Sequence, residues 1–363
     1  MFADWSRERQ IRHRRFYYDA PVIPVDEAAK LARVQLNVYG AEIVVETAWQ
    51  EVLEAVRLDF AWFDQGEPPT RKADVNIVIE RGPPDYDALG ETIASFVTPR
   101  NVVYQDAGST VVDYFGRALS VRDRSTGALT VKGEDLYIVH EAVYQFLVSW
   151  LGKHLEDLGL PRLHGLGLSG RQGGVVVMLP SGGGKTTLAL RGLRDGDVKL
   201  LSEDSPLIDR RGRLHPFPLR IGVNATDAEK LPPGHVRRIE RMELHPKFAL
   251  EIAAFENRIE RHPQPLTHLV IGRRSLGSRA TLEPLPRRAA VPMLFREAVV
   301  GVGIYQGMEW LLQHGMRDVV RQAHPALTRS RCCLAGLMHA KVWRMTFGRD
   351  HERNWSTLHQ LLD

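Results

Sequence analysis

The hydrophobic positions of this chain change period several times, and each change marks an element. Apolar residues alternate at Val34, Leu36 and Val38, break at Gly40 and resume over 43–45, the pattern of a β-hairpin. Trp49, Val52, Leu53, Val56 and Phe60 then recur at three- and four-residue spacing, which predicts a helix whose apolar stripe faces a core rather than a cofactor. Residues 75–79 read as a strand stopped by Gly82-Pro83-Pro84. Short apolar runs at 102–104, 111–115, 119–121 and 129–131 are separated by glycine-containing turns, which predicts an antiparallel meander. A long amphipathic helix follows over 134–158, with Leu136, Val139, Val143, Leu147, Trp150, Leu151 and Leu155 on one side and Gly159 and Pro161 at its end. His140 and His154 on that helix read as structural.

From residue 163 the pattern turns to buried strands. Runs at 163–168 and 174–179 are joined by Ser-Gly-Arg-Gln-Gly, and the second leads into Ser181-Gly182-Gly183-Gly184-Lys185-Thr186-Thr187 and a helix. Strand, glycine turn and helix in that order form an anion cradle: small residues let backbone N–H groups close around phosphate oxygens, and the helix presents its positive end to them. The spacing fits G-x-x-x-x-G-K-[ST] except at its first position, where Leu179 stands. Lys185 would reach the β- and γ-phosphates of ATP, and the Thr186 hydroxyl would ligate Mg²⁺. Residues 198–202 read as another strand, which delivers Glu203 and Asp204 at its end. One carboxylate of such a pair can hold the metal and the other can take a proton from an attacking hydroxyl; Asp204 is favoured as base and Glu203 as ligand.

Composition narrows the partners. The formal charge is only +4 over 363 residues, against a dedicated nucleic-acid coat. Residues 209–279 nevertheless hold 14 Lys/Arg against 8 Asp/Glu, so a basic face lies just beyond the glycine turn. Five arginines between Arg7 and Arg15 have no apolar core behind them, and no apolar run is long enough to span a membrane. The only cysteines, Cys332 and Cys333, are adjacent and cannot staple a secreted fold, so a cytoplasmic location is expected.

His164-Gly165, the 174–187 segment and Leu200-Leu201-Ser202-Glu203-Asp204 together resemble the kinase domain of HPr kinase/phosphorylase, which has a His-Gly, a phosphate loop and an acidic pair in this order. The same skeleton occurs in ATP-dependent phosphoenolpyruvate carboxykinase, and the whole-chain layout is most similar to the HPr-kinase-related kinase B type. The motif-level likeness covers roughly residues 163–223. It implies Lys185 on the phosphates, Thr186, Glu203 and Asp204 about Mg²⁺ and proton transfer, His164 near the γ-phosphate or a second metal, and a Pro-Phe-Pro bend at 216–218 in a strand over 214–223. It also implies Lys247, in a strand over 245–252, as a secondary phosphate or substrate contact. Three positions depart from the family: Leu179 for glycine, Thr187 for an acidic residue and Glu203 for aspartate.

The expected architecture is therefore α/β: a P-loop kinase domain of the HPr kinase/phosphoenolpyruvate carboxykinase type with a mixed sheet over 162–363, preceded by a smaller α+β domain over 1–133 and a bridging helix over 134–161. Residues 1–30 read as an arm. Strands at 266–271, 280–285 and 342–347, helices at 291–300 and 303–322, and a short terminal helix complete it. Arg273, Arg274 and Arg279 are equivalent candidates for transition-state charge. The expected activity is transfer of the γ-phosphoryl group of ATP to a hydroxyl of a peptide, protein or small molecule, with the nucleotide held by Ser181, Gly182, Gly183, Gly184, Lys185, Thr186 and Thr187. The alternative is a nucleotide-binding adaptor or switch that transfers nothing to its partner; a carboxykinase fits less well, since the chain is short for one. Homo-oligomerisation is left open.

Overall fold

A computed structural model describes residues 31–66, 71–105, 108–180, 182–195, 197–229, 231, 234–242, 244–299, 310 and 323–363. Ser181, most of the 303–322 helix and the 1–30 arm lie outside the described residues. The chain divides into Met1–Leu31 and Ala32–Asp363, and the second unit is described here. It is mixed α/β.

Its first sheet is built from β1 (Ala32–Val38), β2 (Ala41–Thr47), β3 (Val75–Arg81), β4 (Ala94–Val97), β5 (Val102–Gln105), β6 (Ser109–Asp113), β7 (Ala118–Asp123) and β8 (Leu129–Gly133), in the order β1-β2-β3-β8-β7-β6-β5-β4. The hairpin and the β5–β8 meander are antiparallel. β3 is parallel to both β2 and β8, because helix α1 (Gln50–Asp59) carries the chain across between β2 and β3. Strand β4 pairs with β5 at the sheet edge, and nothing in the hydrophobic pattern foretold it: its residues are mostly exposed. α2 (Leu136–Asp157) begins where the Asp135 carboxylate accepts from the Tyr137 and Ile138 amides. A one-sided amphipathic helix is corrected here, since Ile138, His140, Val143, Gln145, Phe146 and Ser149 are all buried and α2 is enclosed on several faces.

The second sheet comprises β9 (Leu166–Gly170), β10 (Gly173–Met178), β11 (Lys199–Ser202), β12 (Leu207–Ile208), β13 (Arg213–His215), β17 (Gln264–Arg274), β18 (Thr281–Leu285) and β19 (Lys341–Phe347). From one flank its strands run β11-β9-β10-β17, and β17 is paired on its other side by β19, then β18. β10, β17 and β19 are parallel, so the loops that follow them emerge at one end of the sheet. Helix α3 (Lys185–Arg194) follows β10; α4 (Ala323–His339) and α5 (His351–His359) flank β19 in the chain. A third, three-stranded sheet sets β16 (Leu244–Leu250) between β14 (Ile221–Val223) and β15 (Val236–Arg241).

One expected strand is not continuous. Residues 214–223 split into β13 and β14, which belong to different sheets, because Pro216 and Pro218 bring no N–H to a ladder between them. The Phe217 amide instead donates to the Leu201 carbonyl at 2.8 Å, tying the bend to the strand that ends at the acidic pair.

Candidate active site

Three segments converge at the end of the second sheet. Val175, Val176 and Val177 of β10 are fully buried, and the chain then turns through 179–184 into α3. Gly182 and Gly184 have φ of 73° and 103°, left-handed values that a residue with a Cβ rarely adopts, and Gly184 is the residue on which α3 starts. The first-turn amides of α3, including those of Lys185, Thr186 and Thr187, have no intrahelical acceptor and face the turn.

Leu179, the departure from the motif, has a packing explanation. Its side chain is buried against Gly272 of β17, where a Cβ would lie 2.4 Å from Leu179 Cδ2. The bulk absent from Gly272 is supplied by Leu179, whose buried side chain packs between that strand and Gly183 of the turn. Its carbonyl accepts from Lys185 Nζ at 3.1 Å.

The second segment precedes β9. The Leu163 amide donates to the Pro206 carbonyl and the Gly165 amide to the Asp204 carbonyl, at 2.9 and 3.0 Å. This backbone zip sets His164 beside Asp204, which arrives from the third segment, the end of β11. Lys185 Nζ lies 2.7 Å from His164 Nε2 and 3.2 Å from Asp204 Oδ1; His164 Nε2 is 3.4 Å from the same Asp204 oxygen. An ammonium only donates, so the shortest of these contacts makes Nε2 an acceptor and puts the imidazole proton on Nδ1. Thr186 Oγ1 donates to Glu203 Oε1 at 2.5 Å.

His164 and Lys185 are buried, but the Asp204 side chain keeps 47% of its surface exposed. The two acids are held in opposite ionisation regimes. Burial and the adjoining Asp204 charge push the Glu203 carboxyl up to about 7, against the Thr186 hydroxyl and the Lys185 and Lys247 ammonium groups. Burial also raises Asp204, yet the Lys185 ammonium 3.2 Å away outweighs it and holds that carboxyl below its ordinary range.

Lys247 reaches this cluster from β16: its stem passes Gly222 of β14, and its charge acts on Glu203. Of the sequence candidates, His164, Lys185, Thr186, Glu203, Asp204 and Lys247 are thus brought together; Gly182, Gly183, Gly184 and Thr187 border them, and Ser181 lies outside the described residues. The arginines are no longer equivalent. Arg273 Nε donates to Thr346 Oγ1 of β19 at 2.8 Å, whereas Arg274 Nη1 would be 3.6 Å from a Cβ on Gly184. The signal that separates them is the period of two in a strand, which sends adjacent arginines to opposite faces.

Among the described residues there is no group of three or more His, Cys, Asp or Glu side chains set to enclose a metal. The Thr186 hydroxyl with the Glu203 and Asp204 carboxylates is a small, hard oxygen set, suited to a cation such as Mg²⁺ that takes its remaining ligands from phosphate and water. No helix among the described residues is long and apolar enough to cross a membrane. No protein-family model matches the chain, and comparison with curated proteins gives no significant match.

Proposed function

We propose that this protein is an ATP- and Mg²⁺-dependent phosphotransferase of the HPr kinase/phosphoenolpyruvate carboxykinase type, acting in the cytoplasm on a hydroxyl of a peptide, protein or small molecule. The observation that carries this reading is the meeting of Lys185, His164 and Asp204 within 3.4 Å at the foot of a glycine turn, with Thr186 and Glu203 paired alongside.

In this reading the turn amides and the α3 N-terminus take up the phosphate chain. Lys185 leaves the Leu179 carbonyl and Asp204 to neutralise charge on the terminal phosphate. Asp204, released from that ion pair and open to solvent on one side, accepts the proton of the attacking hydroxyl. His164 stays neutral and buried and orients the Lys185 ammonium through its Nε2 lone pair. Thr186 and Glu203 would hold Mg²⁺, which would supply positive charge to offset that developing on the phosphates. Loss of the Glu203 proton frees its carboxylate for that role.

ADP formation from Mg-ATP, with water as the default acceptor, tests the reading. Turnover by the wild type that falls roughly 10²- to 10⁴-fold in Lys185→Ala, with circular dichroism unchanged, supports it. Tight nucleotide binding without turnover in any acceptor mixture would leave the switch protein as the better description; no binding at all removes both.

A further inference from the structure

Arg274 is the last residue of β17 and is exposed. Its guanidinium nevertheless lies over the glycine turn, with Nη1 3.6 Å from the Cβ position of Gly184. Among the described residues it has no hydrogen-bond or ion-pair partner, whereas its neighbour Arg273 is engaged by Thr346. The loop that bears it is fixed from behind: the Ser275 amide donates to the Phe347 carbonyl at 2.9 Å and the Arg349 amide to the Gly277 carbonyl at 2.8 Å.

Sheet order decides what this cation can touch. Glu203 and Asp204 leave the end of β11 and Arg274 leaves the end of β17, on opposite flanks of β10, in the order β11-β9-β10-β17. A terminal phosphate drawn towards Lys185, Glu203 and Asp204 therefore lies on one flank. The inner phosphates, continuing towards the nucleoside, would then pass over Gly184 on the side where Arg274 stands. Charge favours a further cation here: Lys185, Lys247 and a metal held by Thr186 and Glu203 all gather at the flank of the terminal phosphate, and among these residues Arg274 alone stands over the other side of the turn.

Resting on the phosphotransferase reading above, we infer that Arg274 clamps the inner diphosphate of the nucleotide, the part common to ATP and ADP, and so governs how tightly the ADP product is held. It is a binding residue for the leaving diphosphate rather than a partner of the transferred phosphoryl group. An arginine fork suits this place because its planar, fixed donors can meet two oxygens of adjoining phosphates in one pre-set geometry, whereas a lysine acts as a point charge on a flexible stem.

Calorimetric titration of Mg-ATP and Mg-ADP into the wild type, Arg274→Gln and Arg274→Lys tests this. Both nucleotides should bind about ten- to a hundredfold more weakly to Arg274→Gln and lose affinity in equal proportion, with Arg274→Lys intermediate. Melting of the nucleotide-free variants should match the wild type, since no internal partner is lost. Unchanged affinities, or a loss confined to ATP, would overturn the clamp while leaving the phosphotransferase reading intact. A wild type that binds neither nucleotide would overturn that reading and the clamp with it.

Discussion

Two clusters of charge lie inside this molecule, and they are built on opposite plans. In the first, Asp59 at the end of α1 meets His140 Nε2 at 2.8 Å, Arg220 Nη1 at 3.0 Å and the Arg237 guanidinium, while Arg220 also pairs with Glu141 and stacks 3.5 Å over the Tyr144 ring. Two carboxylates face two guanidiniums, and the Asp59 side chain has no exposed surface. Burial raises Asp59, but Arg220, Arg237 and His140 more than offset it and keep the carboxyl far below its usual range; burial holds His140 low and neutral. The second cluster is unbalanced and open. One lysine is shared by a histidine and an aspartate, a second acid titrates near neutrality, and nearly half of Asp204 is exposed. A closed, balanced network joins α1 and α2 to the third sheet; an open one with competing partners is suited to exchange them for a ligand.

The largest expected effect falls on the open cluster. Asp204→Asn should reduce ADP formation from Mg-ATP by roughly two to four orders of magnitude while shifting the denaturation midpoint little, because the amide keeps the shape and half of the surface is already solvated. A stable but fully active variant would remove Asp204 as base.

Next is the closed cluster. Arg220→Ala strands Asp59 and Glu141 without their shared cation and should cost about 3–5 kcal/mol in urea denaturation. A loss well under 1 kcal/mol would show that the network is solvated in solution. Between the two in character is Gly272→Ala, which brings a methyl against Leu179 and should cost about 1–3 kcal/mol. Pairing it with Leu179→Ala should recover part of that loss, and simple additivity would contradict the packing relation.

The smallest effect separates the clusters by pH. Glu203 has its folded-state value raised from 4.5 to about 7, so the stability it contributes is complete below 4.5 and is lost as pH rises through 7. Glu203→Gln should therefore flatten the melting temperature between pH 5 and pH 8, as read by calorimetric scans at roughly unit steps. Asp59→Asn, by contrast, should lower stability throughout that range, since its lowered carboxyl is already ionised there. A Glu203→Gln profile parallel to the wild type would show that this acid titrates normally.

Local pattern carried much of this into the sequence. The β1–β2 hairpin, α1, the β5–β8 strands and the β10-turn-α3 unit each rest on nearby residues: alternation, helical spacing, or glycines at fixed offsets. That the acids at 203–204 would face the start of α3 could be anticipated from the glycine turn together with the end of β11. What could not be read were relations set by the fold over long sequence separations. Leu179 looked like a damaged motif until Gly272, on the adjoining strand, was seen to leave room for it. The closed network joins Asp59, Glu141, Arg220 and Arg237, none of which belongs to a periodic signal. The enclosure of α2 depends on neighbours on several sides, and β4 is an edge strand whose exposed residues carry no buried face to reveal it.

The most direct test is a crystal structure of the protein with Mg²⁺ and a non-hydrolysable ATP analogue. The expected result puts the terminal phosphate within hydrogen-bond distance of Lys185 Nζ and the metal on Thr186 and Glu203, with the Lys185–Asp204 contact opened. A nucleotide bound elsewhere, or a glycine turn left without phosphate at saturating analogue while Lys185 remains on Asp204, would contradict it.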